Sequence, residues 1–352
     1  MGKPKILLLG KIDHAHDAWQ SLSEYGELIK PSATSRSDFI QECKEGKLDG
    51  VVAAYRTFPS VAITGRFDEE LCSVLPESFK FLAHNGAGYD QIDPEPCTKI
   101  NLQVANCPEA VDDATADTAI FLMLGALRNF NISMHALRRN EWRGNPPPAL
   151  GHDPQGRVLG ILGMGGIGRN MKKKAEAFGM TTIYHNRRKL DPELAGGAEY
   201  VSFEELLKKS DVLSLNLPLN VRLTLNKSVL FANIRKPKTR HIISTKQFML
   251  MKPSCVVINT ARGAVIDEAA LVDALDQGLI AGAGLDVFEE EPKVHPGLVS
   301  NEKVTLLPHM GTWTKETQEK MEVKMIDNIK SALDGKGLLT LIQEQQGVHF
   351  VA

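Results

Sequence analysis

No C-x-x-C pair occurs in the 352 residues, and the five cysteines (Cys43, Cys72, Cys97, Cys107 and Cys255) are odd in number and scattered. That pattern excludes a disulfide framework or a zinc module and points to a reducing, cytoplasmic compartment. The ten histidines show no ligand spacing with carboxylates or thiols, so no metal is expected. An excess of charge of one sign is also missing. Lys plus Arg (41) nearly balances Asp plus Glu (43), so no global field draws the chain to nucleic acid or an anionic membrane. Long hydrophobic runs are absent as well. ILLL ends at Gly10, short of a secretory segment, and AIFLMLGAL (119–127) is too short to cross a bilayer and fits a buried helix. The expected partner is a small molecule.

What the chain does contain is a rhythm. Short apolar runs such as KILLLG, GVVAAY, VLGILG, TTIYH, DVLSLNLP, CVVINT, AGAGLDVF and KVTLLPH alternate with helical patterns. Alternation of this kind predicts α/β architecture with parallel sheets and crossover helices, and the length favours two domains.

The most informative segment is RVLGILGMGGIGRNMKKKAEAFGM (157–180). An apolar run leads into Gly163-x-Gly165-x-x-Gly168, followed by a helical pattern with Met171, Ala175 and Phe178 on one face. Gly163 permits the tight turn, Gly165 lets the backbone approach a pyrophosphate, and Gly168 allows close helix–strand packing. The helix N-terminus, including Gly166 and Ile167, offers amide donors to the anion. In such units an acid at the end of the next strand normally receives the ribose hydroxyls. Here that strand ends in His185-Asn186-Arg187-Arg188. Two planar cations suit a 2′-phosphate and Asn186 can bond the ribose, so NADP(H) is expected over NAD(H). The competing reading of the arginine pair is a solvated basic turn.

Three later segments each place an ionisable residue just beyond a predicted strand: Arg262 in VVINTARGAVID, Glu291 in AGLDVFEEEP and His309 in VTLLPHMGT. Ligands bind at that edge of doubly wound sheets. Together the three suggest a carbonyl reductase in which Arg262 holds a carboxylate, His309 protonates the developing alkoxide and Glu291 orients the imidazole. Singly, each has a structural reading: a histidine in a turn, one acid of a solvated triplet, an arginine bonding helix carbonyls.

These residues carry a resemblance. From VLGILGMGGIG through NTARGAVIDEAALVDAL, AGAGLDVFEEEP and LLPHMGT, the chain resembles the D-isomer-specific 2-hydroxyacid dehydrogenases. The likeness extends through HNGAGYDQID (84–93) and NCPEAVDDATADTAIFLMLGALRNF (106–130), and is strongest toward the fungal glyoxylate/hydroxypyruvate reductases. It implies two doubly wound parallel-sheet domains: a Rossmann cofactor domain (106–311) inserted in a discontinuous flavodoxin-like substrate domain (1–105 and 312–352). It implies that Arg262 binds substrate, that His309 is the acid/base and that Glu291 is its partner. It further implies that Gly86, Ala87 and Gly88 hold the substrate carboxylate through backbone amides. Thr260, Ala261, Leu217, Pro218 and Gly311 line the cofactor, Asp286 lies near the nicotinamide carboxamide, and the protein is a homodimer. Trp142 is expected to pack in the fold or to restrict the substrate pocket.

One segment departs from the pattern. VRLTLNKSVLFANIRKPK separates LPLN (217–220) from TRHIIS (239–244), which such proteins run almost together. The segment at 221–238 reads either as a surface loop, which closure entropy tolerates, or as a retained short intron. Three functions stay open: reduction of glyoxylate and hydroxypyruvate, a D-2-hydroxyacid dehydrogenase of broader range, and a nucleotide-sensing protein of the corepressor type.

Overall fold

A computed structural model describes residues 3–219 and 239–350, so the segment expected at 221–238 lies outside the described residues. The chain divides into two compact units: Met1–Val111 with Trp313–Ala352, and Asp112–Thr312.

The first unit is built on five parallel strands: β1 (Lys5–Leu9), β2 (Glu27–Ile29), β3 (Val51–Thr57), β4 (Phe81–Asn85) and β5 (Gln103–Ala105). Their order, β2-β1-β3-β4-β5, is the flavodoxin-like one. Its central strands are apolar on both faces because helices cover both. Leu7, Leu9, Ala54 and Leu82 face one cluster with Phe39, Phe67 and Phe79. On the other face the helix Lys315–Leu333 packs on β3 and β4. Each leucine so buried stabilises by about 1.5–3 kcal/mol relative to exposure. Glu322 on that helix is itself buried, and accepts hydrogen bonds from the amides of Asp13, His14 and Ala15 at 2.9, 2.9 and 2.7 Å. A buried carboxylate is tolerated where donors surround it.

The second unit has seven parallel strands: β6 (Val158–Leu162), β7 (Thr181–His185), β8 (Glu199–Tyr200), β9 (Val212–Leu215), β10 (Val256–Asn259), β11 (Gly282–Leu285) and β12 (Val304–Leu306). The order β12-β11-β10-β9-β6-β7-β8 is the Rossmann arrangement with one added strand, and its direction reverses between β6 and β9. Apolar clusters cover both faces of the sheet. The run 119–127 lies in the helix Asp112–Leu127, with Ala119, Leu122, Met123, Ala126 and Leu127 buried. Trp142 does not pack in the fold: it is 72% exposed in the irregular stretch after the helix Phe130–Arg138.

Candidate active site

The glycine turn leaves β6 at the switch point of the sheet, and each glycine has its own structural reason. Gly163 has φ +93°, a left-handed conformation that side chains resist, and an added Cβ would stand 2.9 Å from the backbone of Asn216 and Leu217. Gly165 faces open space, with nothing within 4 Å of an added Cβ. Gly168 sits where a Cβ would come within 3.0 Å of the Gly163 carbonyl and 3.1 Å of Ile161. Gly166 and Ile167 open the helix Gly166–Glu176, whose N-terminal amides and dipole are suited to an anion.

Asn186 has a role the sequence reading did not assign. Its side-chain oxygen accepts from the Met164 amide at 2.7 Å, tying the end of β7 to the glycine turn. Arg187 and Arg188 are exposed and form no ion pair among the described residues. Leu217 is buried in the core and Pro218 is exposed, its carbonyl accepting from the Thr239 hydroxyl at 2.7 Å.

Adjacent strands of a parallel sheet deliver their following loops to one edge, and three such loops carry the ionisable residues. After β10, the buried Asn259 side chain folds the loop by accepting from the Ala261 amide (3.0 Å) and donating to the Arg262 carbonyl (2.9 Å). Arg262 is half-buried and its guanidinium donates to the Ala261 carbonyl at 2.6 Å. Asn259 was missed at the sequence level, although an Asn closing an otherwise apolar strand is a visible signal. Next to it, a Cβ on Gly263 would fall 1.8 Å from the Phe288 carbonyl carbon, so this loop lies directly against the one after β11. Gly263→Ala therefore forces the two loops apart. We expect a loss of about 3 kcal/mol or more in stability from overpacking, read as a Tm drop of roughly 6–12 °C by calorimetry. An unchanged Tm would refute the contact.

After β11, Glu291 accepts from the Phe288 amide with one oxygen (3.0 Å) and from Nδ1 of His309 with the other (2.8 Å). Burial raises the Glu291 pKa, but these hydrogen bonds and the charges of His309 and Arg262 outweigh it and hold the carboxyl below its usual range. The Arg262 charge therefore acts on the same carboxylate that His309 bonds: all three expected residues share one neighbourhood.

After β12, His309 has φ +56°, a left-handed conformation that costs a non-glycine residue energy. Asp286 holds it there. The Asp286 carbonyl accepts from the His309 amide (2.8 Å), and its buried carboxylate accepts from the Met310 (2.6 Å) and Gly311 (2.8 Å) amides. Burial raises the Asp286 pKa, while these two amides and His309 oppose the rise. Asp286 is thus the anchor of the histidine turn, a role the resemblance did not imply.

Two buried polar atoms at this edge have no hydrogen-bond partner among the described residues: Oγ1 of Thr260 and Oδ1 of Asn216. Buried polar groups left unpaired cost energy unless a ligand meets them. Together with the open backbone at Gly165 and the exposed arginine pair, they fit a dinucleotide laid across the switch point. Gly86, Ala87 and Gly88 belong to the first unit, following β4; all three are partly buried.

Comparison with known proteins decides the family. Residues 120–311 match the model described as D-isomer specific 2-hydroxyacid dehydrogenase, NAD binding domain. The chain belongs to that family. Its fold is that of this family, and it is an NAD(P)-dependent oxidoreductase. A 4-methyl-2-oxopentanoate reductase A of Aspergillus oryzae is 52% identical, covering 98% of this chain and 99% of the relative. Glyoxylate reductase 1 of Saccharomyces cerevisiae is 45% identical, covering 98% and 96%. A crystal structure of a glyoxylate reductase from Paecilomyes thermophila superimposes with a TM-score of 0.90 at 50% identity, covering 98% of this chain and all of that one.

Proposed function

We propose that this dehydrogenase reduces small 2-oxoacids, glyoxylate and hydroxypyruvate foremost, to D-2-hydroxyacids with NADPH, and that His309 is its acid/base. The observation that carries the reading is the 2.8 Å bond between Nδ1 of His309 and Glu291, within reach of the Arg262 charge at one sheet edge. The ionised carboxylate fixes the proton on Nδ1, which leaves Nε2 as the nitrogen that exchanges a proton with the substrate oxygen. Arg262 offers two parallel N–H donors to a substrate carboxylate and fixes which carbonyl face is presented. The loop of Gly86, Ala87 and Gly88 is assigned to carboxylate binding through its amides.

The cofactor, when bound, supplies a hydride to the carbonyl carbon. Its pyrophosphate fits the turn Gly163–Gly168, with Gly165, Gly166 and Ile167 as the donors. Thr260, Ala261, Leu217, Pro218, Asp286 and Gly311 are assigned to its lining. Arg187 and Arg188 would take the 2′-phosphate, because exposed guanidinium groups without acidic partners favour that anion over a bare hydroxyl. We expect Arg187→Ala to lower kcat/KM for NADPH tenfold or more and to leave NADH use unchanged. Equal use of both cofactors by the unsubstituted protein would sink the preference.

A second reading, a broader substrate range, is favoured by the name of the 52%-identical relative, a 4-methyl-2-oxopentanoate reductase. Following NADPH oxidation against glyoxylate, hydroxypyruvate, pyruvate, phenylpyruvate and 4-methyl-2-oxopentanoate separates the two. A kcat/KM for the branched acid above that for glyoxylate would replace the first reading by the second. We also propose a cytoplasmic homodimer. All five cysteines are free thiols, and Phe121, Phe130, Met134 and Leu137 are exposed on neighbouring helices, a patch a second copy could cover.

A further inference from the structure

The first unit contains a fully buried arginine with no carboxylate. Arg56, on β3, has 0% exposure, and no acid pairs with it among the described residues. Its Nη2 donates to Gln91 at 2.7 Å, its guanidinium lies 5.5 Å from the centre of the Phe67 ring, and its Nε has no hydrogen-bond partner. Burial pushes its pKa down to about 10, so it remains a cation at neutral pH. An interior cation without a counter-charge costs stability, and a purely structural role would be served better by an apolar residue.

Its remaining contact shows where that cost is directed. Arg56 is the register partner of His84 on β4, which puts both side chains on one face of the sheet. Nη1 of Arg56 lies 3.0 Å from Nδ1 of His84, and Nε2 of His84 lies 3.0 Å from the Gly88 carbonyl. A guanidinium can only donate, so Nδ1 accepts. The imidazole proton is then on Nε2, where it donates to Gly88.

Every carbonyl of the loop is held in this way. The Gly86 carbonyl accepts from the Cys107 amide (2.9 Å), that of Ala87 from the Asn106 side chain (2.7 Å) and that of Gly88 from His84. In a trans peptide the N–H points opposite to the C=O. Fixing three carbonyls therefore aims the amides of Ala87, Gly88 and Tyr89 the other way, and none of these three donates to protein among the described residues. Gly86 must be glycine here, since a Cβ would stand 2.8 Å from Nε2 of His84.

We propose that Arg56 is a positioning residue for carboxylate binding: through His84 it fixes the orientation of the Gly88–Tyr89 peptide, and its charge polarises the loop toward an anion. This rests on the proposed reduction of 2-oxoacids, and requires no contact between Arg56 and substrate.

The test compares Arg56→Met with the unsubstituted protein on glyoxylate and on its neutral ethyl ester. The expected result is a KM for glyoxylate raised at least 20-fold with kcat within threefold, while kcat/KM for the ester stays within twofold. A glyoxylate KM within threefold overturns the proposal, and so does an equal loss on acid and ester, which would mean general distortion. His84→Gln, which keeps a donor for Gly88, should restore most of the affinity lost in His84→Ala; no rescue counts against the relay. If the Arg56 variant does not fold, ¹⁵N spectra of histidine-labelled unsubstituted protein decide: a His84 protonated on Nδ1 overturns the relay, one protonated on Nε2 supports it. If the unsubstituted protein turns over no 2-oxoacid, the functional reading fails by itself. Calorimetric affinity for oxamate, expected 20-fold weaker in Arg56→Met and unchanged if the proposal is wrong, then still tests Arg56.

Discussion

Replacing His309 by alanine should lower kcat for glyoxylate reduction by two to four orders of magnitude, the range expected when a positioned general acid is lost. The residue is held in its backbone conformation at some cost. Its left-handed backbone is stabilised by Asp286, whose main chain and carboxylate together bind the amides of three successive residues, His309, Met310 and Gly311. Alanine pays the same left-handed penalty without the imidazole, so His309→Asn is the better-folded companion, because Asn tolerates that conformation. Both variants should show the same kinetic defect. A kcat within threefold of normal would remove His309 from the mechanism.

Glu291→Gln should reproduce part of the loss, about 10- to 100-fold, since glutamine preserves shape but not the charge that orients the imidazole. The sign of its pH dependence follows from the lowered pKa. A carboxyl whose folded-state pKa is depressed contributes stability above its unfolded value, and loses it as pH falls through the folded one. Glu291 is therefore ionised at neutral pH despite partial burial, and its contribution to the pair fails only below the ordinary carboxylate range. A rate that collapses with protonation of Glu291 near pH 6 would contradict this.

Arg262→Met should be comparably damaging, but in a different kinetic parameter. Removing a bidentate partner of a carboxylate costs about 2–5 kcal/mol, or roughly 30- to 5,000-fold in kcat/KM. The loop itself should survive. Its shape rests on the main-chain carbonyl of Arg262, which accepts from the Val265 amide and the Asn259 side chain, and none of these bonds involves the guanidinium. Arg262→Lys should recover only part of the loss, because an ammonium is a point charge that cannot match two carboxylate oxygens at once. Stopped-flow binding of NADPH should be unchanged in both variants, which separates a substrate defect from a cofactor defect. If Arg262→Met keeps kcat/KM for glyoxylate within fivefold, the carboxylate is held elsewhere.

The chain by itself determined the parallel α/β architecture, because runs such as KILLL and VVIN, apolar on both faces, can be buried only under helices on either side. It also determined the glycine turn, since the spacing of Gly163, Gly165 and Gly168 already sets a tight turn, an open backbone and a close helix–strand approach in that order. The candidates Arg262, Glu291 and His309 were legible for the same local reason: each directly follows a strand, and parallel strands end at one edge. Tertiary structure decided what no spacing expresses. Asp286 anchoring a turn 23 residues away in sequence, Asn186 serving the glycine turn, and Arg56 reaching Gly88 through His84 are long-range pairings. Trp142 was legible only as an indole, and its exposure depended on how the surrounding stretch folds. The physical division is between preferences set within one turn or strand and partners chosen among all buried polar groups. The latter depend on which strands become neighbours, and strand order is a property of the whole packed unit.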